Sequence, residues 1–192
     1  MQDFTLYFQL GWHHIISWDA LDHILFITVL SAIYLLRNWK QLLVLVTAFT
    51  IGHSLTLALS VYNLVSIKQG LVEVLIPCTI MATALFNFFQ KDFQPKSLRL
   101  NYFLALIFGL IHGLGFAGAI RMALAEDQGI GWALFGFNVG LEAGQVVVVA
   151  GILSLSFLLV DLLKLKRKYW VWALSLAGFI LAVNMIIDRW QH

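Results

Sequence analysis

The sequence predicts an all-α polytopic membrane protein with six transmembrane helices and a short N-terminal segment that is interfacial or re-entrant. Of the 192 residues, 61% are hydrophobic and only 11% are charged, whereas soluble domains carry about 25% charged residues. Six apolar runs reach the roughly 20 residues that a helix needs to cross a bilayer. No polar stretch is long enough for a separate soluble domain, so we expect one transmembrane domain over residues 1–192.

The N-terminal residues 3–17 are aromatic and amphipathic, which predicts the interfacial or re-entrant segment. The start of the chain lacks the basic region and the cleavage site of a signal peptide, so we expect the first apolar helix to stay in the mature protein. Short breaks separate the apolar runs, as is typical of antiparallel neighbours in a bundle. The predicted spans cover about residues 18–36, 41–62, 70–89, 100–123, 131–163 and 169–190.

The basic residues predict the orientation of the chain. Nine of the twelve Lys and Arg residues lie in or beside the first, third and fifth connections, and only Lys68, Arg121 and Arg189 fall on the other side. By the positive-inside rule those three connections are cytoplasmic. Both termini are then expected on the periplasmic side of a bacterial inner membrane.

The first two spans carry ionisable residues, each of which costs about 2.5–3.5 kcal/mol or more at membrane depth. Helical spacing places Asp19, Asp22 and His23 on one face of the first span. His14 can join that face only if the chain turns before residue 18. Asp19 is better explained as a helix N-cap than as a ligand. In the second span a polar stripe includes His53 and Thr56.

The third and fourth spans add a carboxylate and a histidine. Glu73 lies four residues before Pro77, which has no amide hydrogen, so the carbonyl of Glu73 has no partner within the helix. His112 lies in the glycine-rich stretch "FGLIHGLGFAGA" of the fourth span. With the predicted orientation, Glu73 lies in the outer half of the membrane and His112 near its middle.

The fifth span has two distinct faces. One face carries Asn138, Glu142 and Gln145. The other is a seam of small residues that lets another helix approach closely, either within the chain or from a second copy in a homo-oligomer. This glycine seam consists of Gly136, Gly140 and Gly144.

Histidine and carboxylate side chains from five spans thus converge on the outer half and middle of the membrane, which predicts a divalent-metal site. A purely structural network of paired buried groups is the alternative. The single cysteine, Cys78, excludes a cysteine-cluster site. The candidate ligands are His14, Asp22, His23, His53, Glu73, His112 and Glu142. The candidate residues that would orient them are Asp19, Thr56, Asn138 and Gln145.

The motifs "HHI", "DHILF", "GHSLTL", "FGLIHGLGFAGA" and "FNVGLEAGQ" resemble the HupE/UreJ family of bacterial membrane proteins over residues 11 to about 150. The resemblance implies six helices and nickel or cobalt transport. The family's first-helix signature, a His followed by an Asp-His pair, matches His14, Asp22 and His23. The spacing after His14 is longer than in the family's main form, and "GHS" replaces "AHS", which indicates a divergent branch.

We therefore expect a transporter or binder of nickel or cobalt, with zinc as a further candidate metal. The alternatives are a zinc-dependent intramembrane hydrolase with Glu73 or Glu142 as its general base, and a non-catalytic metal sensor or assembly protein. The expected partners are the metal ion and the lipid bilayer, with no nucleic acid. A homo-oligomer would use the glycine seam.

Overall fold

The computed structural model describes residues 2–17, 20–90, 98–123 and 130–190, and over these residues it is helical without strands. The helices are α1 (Gln2–Ile16), α2 (Leu21–Ser31), α3 (Trp39–Val61), α4 (Gln69–Phe89), α5 (Leu98–Ala123), α6 (Ile130–Ser156) and α7 (Arg167–Trp190). Within these described ranges, five helical segments are long and apolar enough to cross a membrane, and α1 with α2 makes a sixth if the bent pair is one span. The predicted fold class, an all-α polytopic membrane protein, is confirmed.

The N-terminal segment is expected from the sequence to be interfacial or re-entrant. It forms the 15-residue α1, which packs along α6, and the bent pair of α1 and α2 is either a broken span or a re-entrant segment. The axes of α1 and α2 differ by 65° across a short break. Close approach at Gly11 makes this packing possible, because a Cβ there would overlap the carbonyl oxygen of Phe137. The first apolar run is therefore the shorter α2, which ends at Ser31.

The glycine seam of α6 faces α1 of the same chain. A Cβ on Gly140 would overlap the carbonyl oxygen of Phe8, and Gly144 lies against Ile15. The expected homo-oligomer contact through this seam is therefore wrong, because α1 already covers it.

Two further helix pairs complete the bundle around α2. In the α3–α5 pair, a Cβ on Gly109 would overlap the carbonyl oxygen of Phe49. The hydroxyl of Thr56 also donates to the carbonyl of Leu110 across this pair, at 2.8 Å. In the α4–α7 pair, the amide of Asn87 donates to Ser175. The close contact of α3 with α5 brings their central histidines to the same level.

The carbonyl of Glu73 is taken up by a side chain from α7. The guanidinium of Arg189 donates to this oxygen, which Pro77 leaves without a helical partner. The start of α4 is thereby tied to the end of α7, at the end of the bundle where α1 also meets α2.

Candidate metal centre

Four histidines from four helices meet beside the break between α1 and α2. They are His14 of α1, His23 of α2, His53 of α3 and His112 of α5. The ring of His23 is central, with centroid distances of 4.6 Å to His14, 4.9 Å to His112 and 5.8 Å to His53. One ring nitrogen from each of His14, His23 and His53 lies within 4.8 Å of the other two. Such a group of nitrogens has the size needed to hold one metal ion.

Five ring nitrogens of these four histidines are buried and have no hydrogen-bond partner. They are Nε2 of His14, Nε2 of His23, both nitrogens of His53, and Nδ1 of His112. A buried polar atom without a partner costs about 1–3 kcal/mol. A neutral imidazole offers one lone pair, so each of the four rings can present one nitrogen to a ligand that is bound through lone pairs.

Asp22 lies behind His23 and sets which of its nitrogens carries the proton. Its Oδ1 lies 2.9 Å from Nδ1 of His23 and also accepts from the backbone amide of His23 at 2.8 Å. A carboxylate only accepts hydrogen bonds, so Nδ1 carries the proton and Nε2 presents its lone pair to the cluster. Nη2 of Arg189 lies 3.5 Å from the other carboxylate oxygen.

Thr79 of α4 sets which ring nitrogen of His112 carries the proton. Its hydroxyl donates its single proton to the carbonyl of Ile76 at 2.7 Å. The 3.0 Å contact between this hydroxyl and Nε2 of His112 must therefore have the imidazole as donor. The lone pair of His112 is then on Nδ1, the nitrogen without a partner. Sequence reasoning missed Thr79, although its polar spacing with Thr83 and Asn87 is a detectable signal.

A cleft of about 790 Å³ leads to the histidines from one end of the bundle. It lies between the break after α1, the start of α4 and the ends of α5 and α7. His53 is not part of its wall and lies behind the other three histidines. The polar side chains that line the cleft are His13, His14, Ser17, Asp22, His23, Gln69, Glu73, His112 and Arg189.

Two polar residues of α6 are hydrogen-bonded to threonines of α3. Oε1 of Glu142 accepts from Thr47 at 2.6 Å, and Oε1 of Gln145 accepts from Thr50 at 2.7 Å. Oδ1 of Asn138 is buried without a partner. Glu142 and Gln145 thus contribute to the contact between α3 and α6, and Thr56 contributes to that between α3 and α5. Asp19 lies outside the described residues.

Comparison with known proteins identifies one family that matches the chain. The family model described as "HupE / UreJ protein" matches residues 1–192, which is the whole chain. No curated protein and no solved structure matches the chain.

Proposed function

Because the chain belongs to the HupE/UreJ family, we propose that it is a nickel or cobalt transporter of the bacterial inner membrane. The family is associated with nickel or cobalt uptake, or with the maturation of urease and hydrogenase. The observation that carries the proposal is the meeting of four histidines from four helices, each with a buried ring nitrogen that has no hydrogen-bond partner.

The chemistry of the cluster suits a divalent transition metal. Neutral imidazole is a ligand for nickel, zinc, copper and iron. Asp22 contacts His23 from behind, and such carboxylate–histidine pairs orient the ring and raise its basicity toward a metal. Glu73 in the cleft supplies a second negative charge close to the path of the incoming cation.

The break between α1 and α2 supports transport in particular. Secondary transporters commonly bind their ions near the membrane midplane, beside interrupted helices. The C-terminal end of a helix carries partial negative charge, which favours a cation. His14 lies in the last turn of α1, so that end lies beside the cluster.

The distribution of basic residues supports entry from the periplasm. The cleft lies at the end of the bundle where α4 begins and α7 ends. The positive-inside rule assigns this end to the outer side. We propose that the cation reaches the histidines from the periplasm and leaves toward the cytoplasm.

Two neighbouring histidines provide a matched test of the site. His14 belongs to the cluster, whereas His13 is exposed in the cleft. We expect His14→Ala to weaken nickel binding to the purified protein by about tenfold or more, because a direct ligand is lost, and to reduce nickel uptake into proteoliposomes. His13→Ala should change nickel affinity far less. Equal losses in the two variants, or no nickel bound by the wild type, would contradict the proposal.

The size of the cleft favours a second candidate, a zinc-dependent hydrolase. Its volume of about 790 Å³ exceeds the needs of an ion, and small-molecule sites measure about 300–1,000 Å³. Zinc held by the histidines would activate a water molecule. Glu73 lines the cleft and could act as general base, whereas Glu142 is bonded to Thr47 elsewhere. Stoichiometric zinc binding without any metal uptake would favour this reading or a metal sensor.

A further inference from the structure

We propose that a second cavity, at the opposite end of the bundle from the cleft, is the chamber through which the divalent cation leaves the histidines. This inference rests on the proposed transport function and supplies the second half of its route. The chamber measures about 250 Å³ and lies between the end of α2, the second half of α4 and the first half of α5. Its polar lining consists of Tyr34, Thr83, Asn87 and Asn101.

The same three helices line both the cleft and the chamber. On each helix, a residue that lines the cleft and a residue that lines the chamber are at most seven positions apart, which is about 10 Å along the helix axis. The cleft and chamber residues, respectively, are His23 and Leu30 on α2, Ile76 and Thr83 on α4, and His112 and Phe108 on α5. The two spaces are therefore stacked along one path, with one or two helical turns between them.

A layer of aromatic rings closes this path between the histidines and the chamber. Phe26 is fully buried, and its ring centroid lies 5.2 Å from that of His112 and 5.8 Å from that of Phe108. Phe49 packs on the other side of Phe26 at 4.9 Å. The histidines are thus open to the cleft and shut off from the chamber, which is one of the two states that alternating access requires.

The chamber offers oxygen atoms rather than imidazoles. The amide nitrogen of Asn87 donates to the carbonyl of Val29 and to Ser175, and that of Asn101 donates to the hydroxyl of Tyr34. The amide oxygens of both asparagines are left as the acceptor atoms for an ion or its water shell. The other seven lining residues of the chamber are apolar. A transition-metal ion binds such oxygens less well than imidazole, which favours release.

Plugging the chamber tests the route. Ala105 lines the chamber and is buried, so Ala105→Phe would fill space that the ion needs. We expect this variant to bind nickel with unchanged affinity in detergent and to lose nickel uptake in proteoliposomes. Ala150→Phe is the matched control, because Ala150 lies on the exposed face of α6 and should leave both binding and uptake unchanged.

Thiol labelling provides a second measurement that does not depend on tolerance of a bulky side chain. In a Cys78→Ser background, Thr83→Cys places a thiol in the chamber, and Leu85→Cys places one on the exposed face of the same helix. A charged, membrane-impermeant thiol reagent applied from the side opposite the cleft should modify the first variant much faster than the second.

The outcomes separate this inference from the proposed function. Nickel uptake that survives Ala105→Phe, or a Thr83→Cys thiol that reacts no faster than Leu85→Cys, overturns the chamber and leaves transport standing. A wild-type protein that binds nickel without uptake overturns the route and the transport together. If Ala105→Phe fails to bind nickel, its loss of uptake says nothing about the chamber. The comparison of Thr83→Cys with Leu85→Cys then decides whether the chamber is open to the side opposite the cleft.

Discussion

Asp22 and Thr79 each fix the proton of one histidine, although neither side chain faces the nitrogen cluster. In both cases one ring nitrogen donates away from the cluster, and the other is left with its lone pair pointing into it. An imidazole has only one lone pair when neutral, so the wrong tautomer would remove that ring from a metal site. In the proposed metal site, the two partners would therefore set which nitrogens are available for the metal without being ligands themselves.

Removing the charge of Asp22 should weaken metal binding. In Asp22→Asn the carboxylate that makes His23 more basic and offsets the charge of the cation is lost. Changes of such partners typically cost 10–100-fold in metal affinity, and we expect a loss of about this size for nickel, measured by competition with a chelator. Asp188→Asn is the control, because Asp188 is exposed near the same end of the bundle. An unchanged affinity in Asp22→Asn would contradict the role given to this carboxylate.

Thr79 offers a test in which a conservative replacement restores function. Thr79→Val keeps the shape of the side chain but removes the hydroxyl oxygen that accepts the hydrogen bond from Nε2 of His112. We therefore expect nickel affinity to fall by about tenfold or more. Thr79→Ser should retain most of the affinity, since a hydroxyl remains. A purely structural role would instead lower the melting temperature of Thr79→Val and leave its nickel affinity unchanged.

At the scale of elements, glycines decide how closely the helix pairs approach. α1 contacts α6 and α3 contacts α5 through positions where no Cβ fits, and small residues at such crossings are the common means of packing helices in membranes. Because His14, His53 and His112 lie on these helices, the glycine contacts also set the distances between the ring nitrogens.

Adding one methyl group to the α3–α5 contact should destabilise the bundle. A Cβ at Gly109 would overlap the backbone of Phe49, so Gly109→Ala must push the helices apart. Overpacking of this kind costs about 1–3 kcal/mol, and we expect a lower melting temperature in detergent. Gly118→Ala on the same helix meets nothing within 4 Å and should melt like the wild type. Equal melting temperatures for the two variants would show that the helices can separate at little cost.

The fold class could be predicted from sequence because it depends on the length of apolar runs, a local property. The placement of His23, His53 and His112 in the membrane follows from the same runs. The position of His14 could not be fixed, since it depends on a break in the chain and on the packing of α1 against the distant α6. The rotation of α6, which points Glu142 toward Thr47, is likewise set by contacts far apart in sequence.

At the scale of the whole molecule, the orientation of the chain can be tested directly. The proposed topology places both termini in the periplasm, because the basic residues lie in the opposite connections. We expect alkaline phosphatase fused after the C-terminus to be active in cells and a green fluorescent protein fused there to be dark. Fusions in the first connection, near Arg37, should give the reverse. Fluorescence at the C-terminus would place the cleft on the cytoplasmic side.

The contact between α1 and α6 has a consequence for biogenesis. α1 leaves the ribosome before its partner α6, which follows more than one hundred residues later. At a synthesis rate of about 5–20 residues per second, α1 must wait roughly 6–23 s before the surface that buries it exists. Until then His14 has neither its neighbouring histidines nor α6 around it. The proposed metal site can therefore be completed only after α6 has been made, and a chain truncated before α6 should enter the membrane without acquiring it.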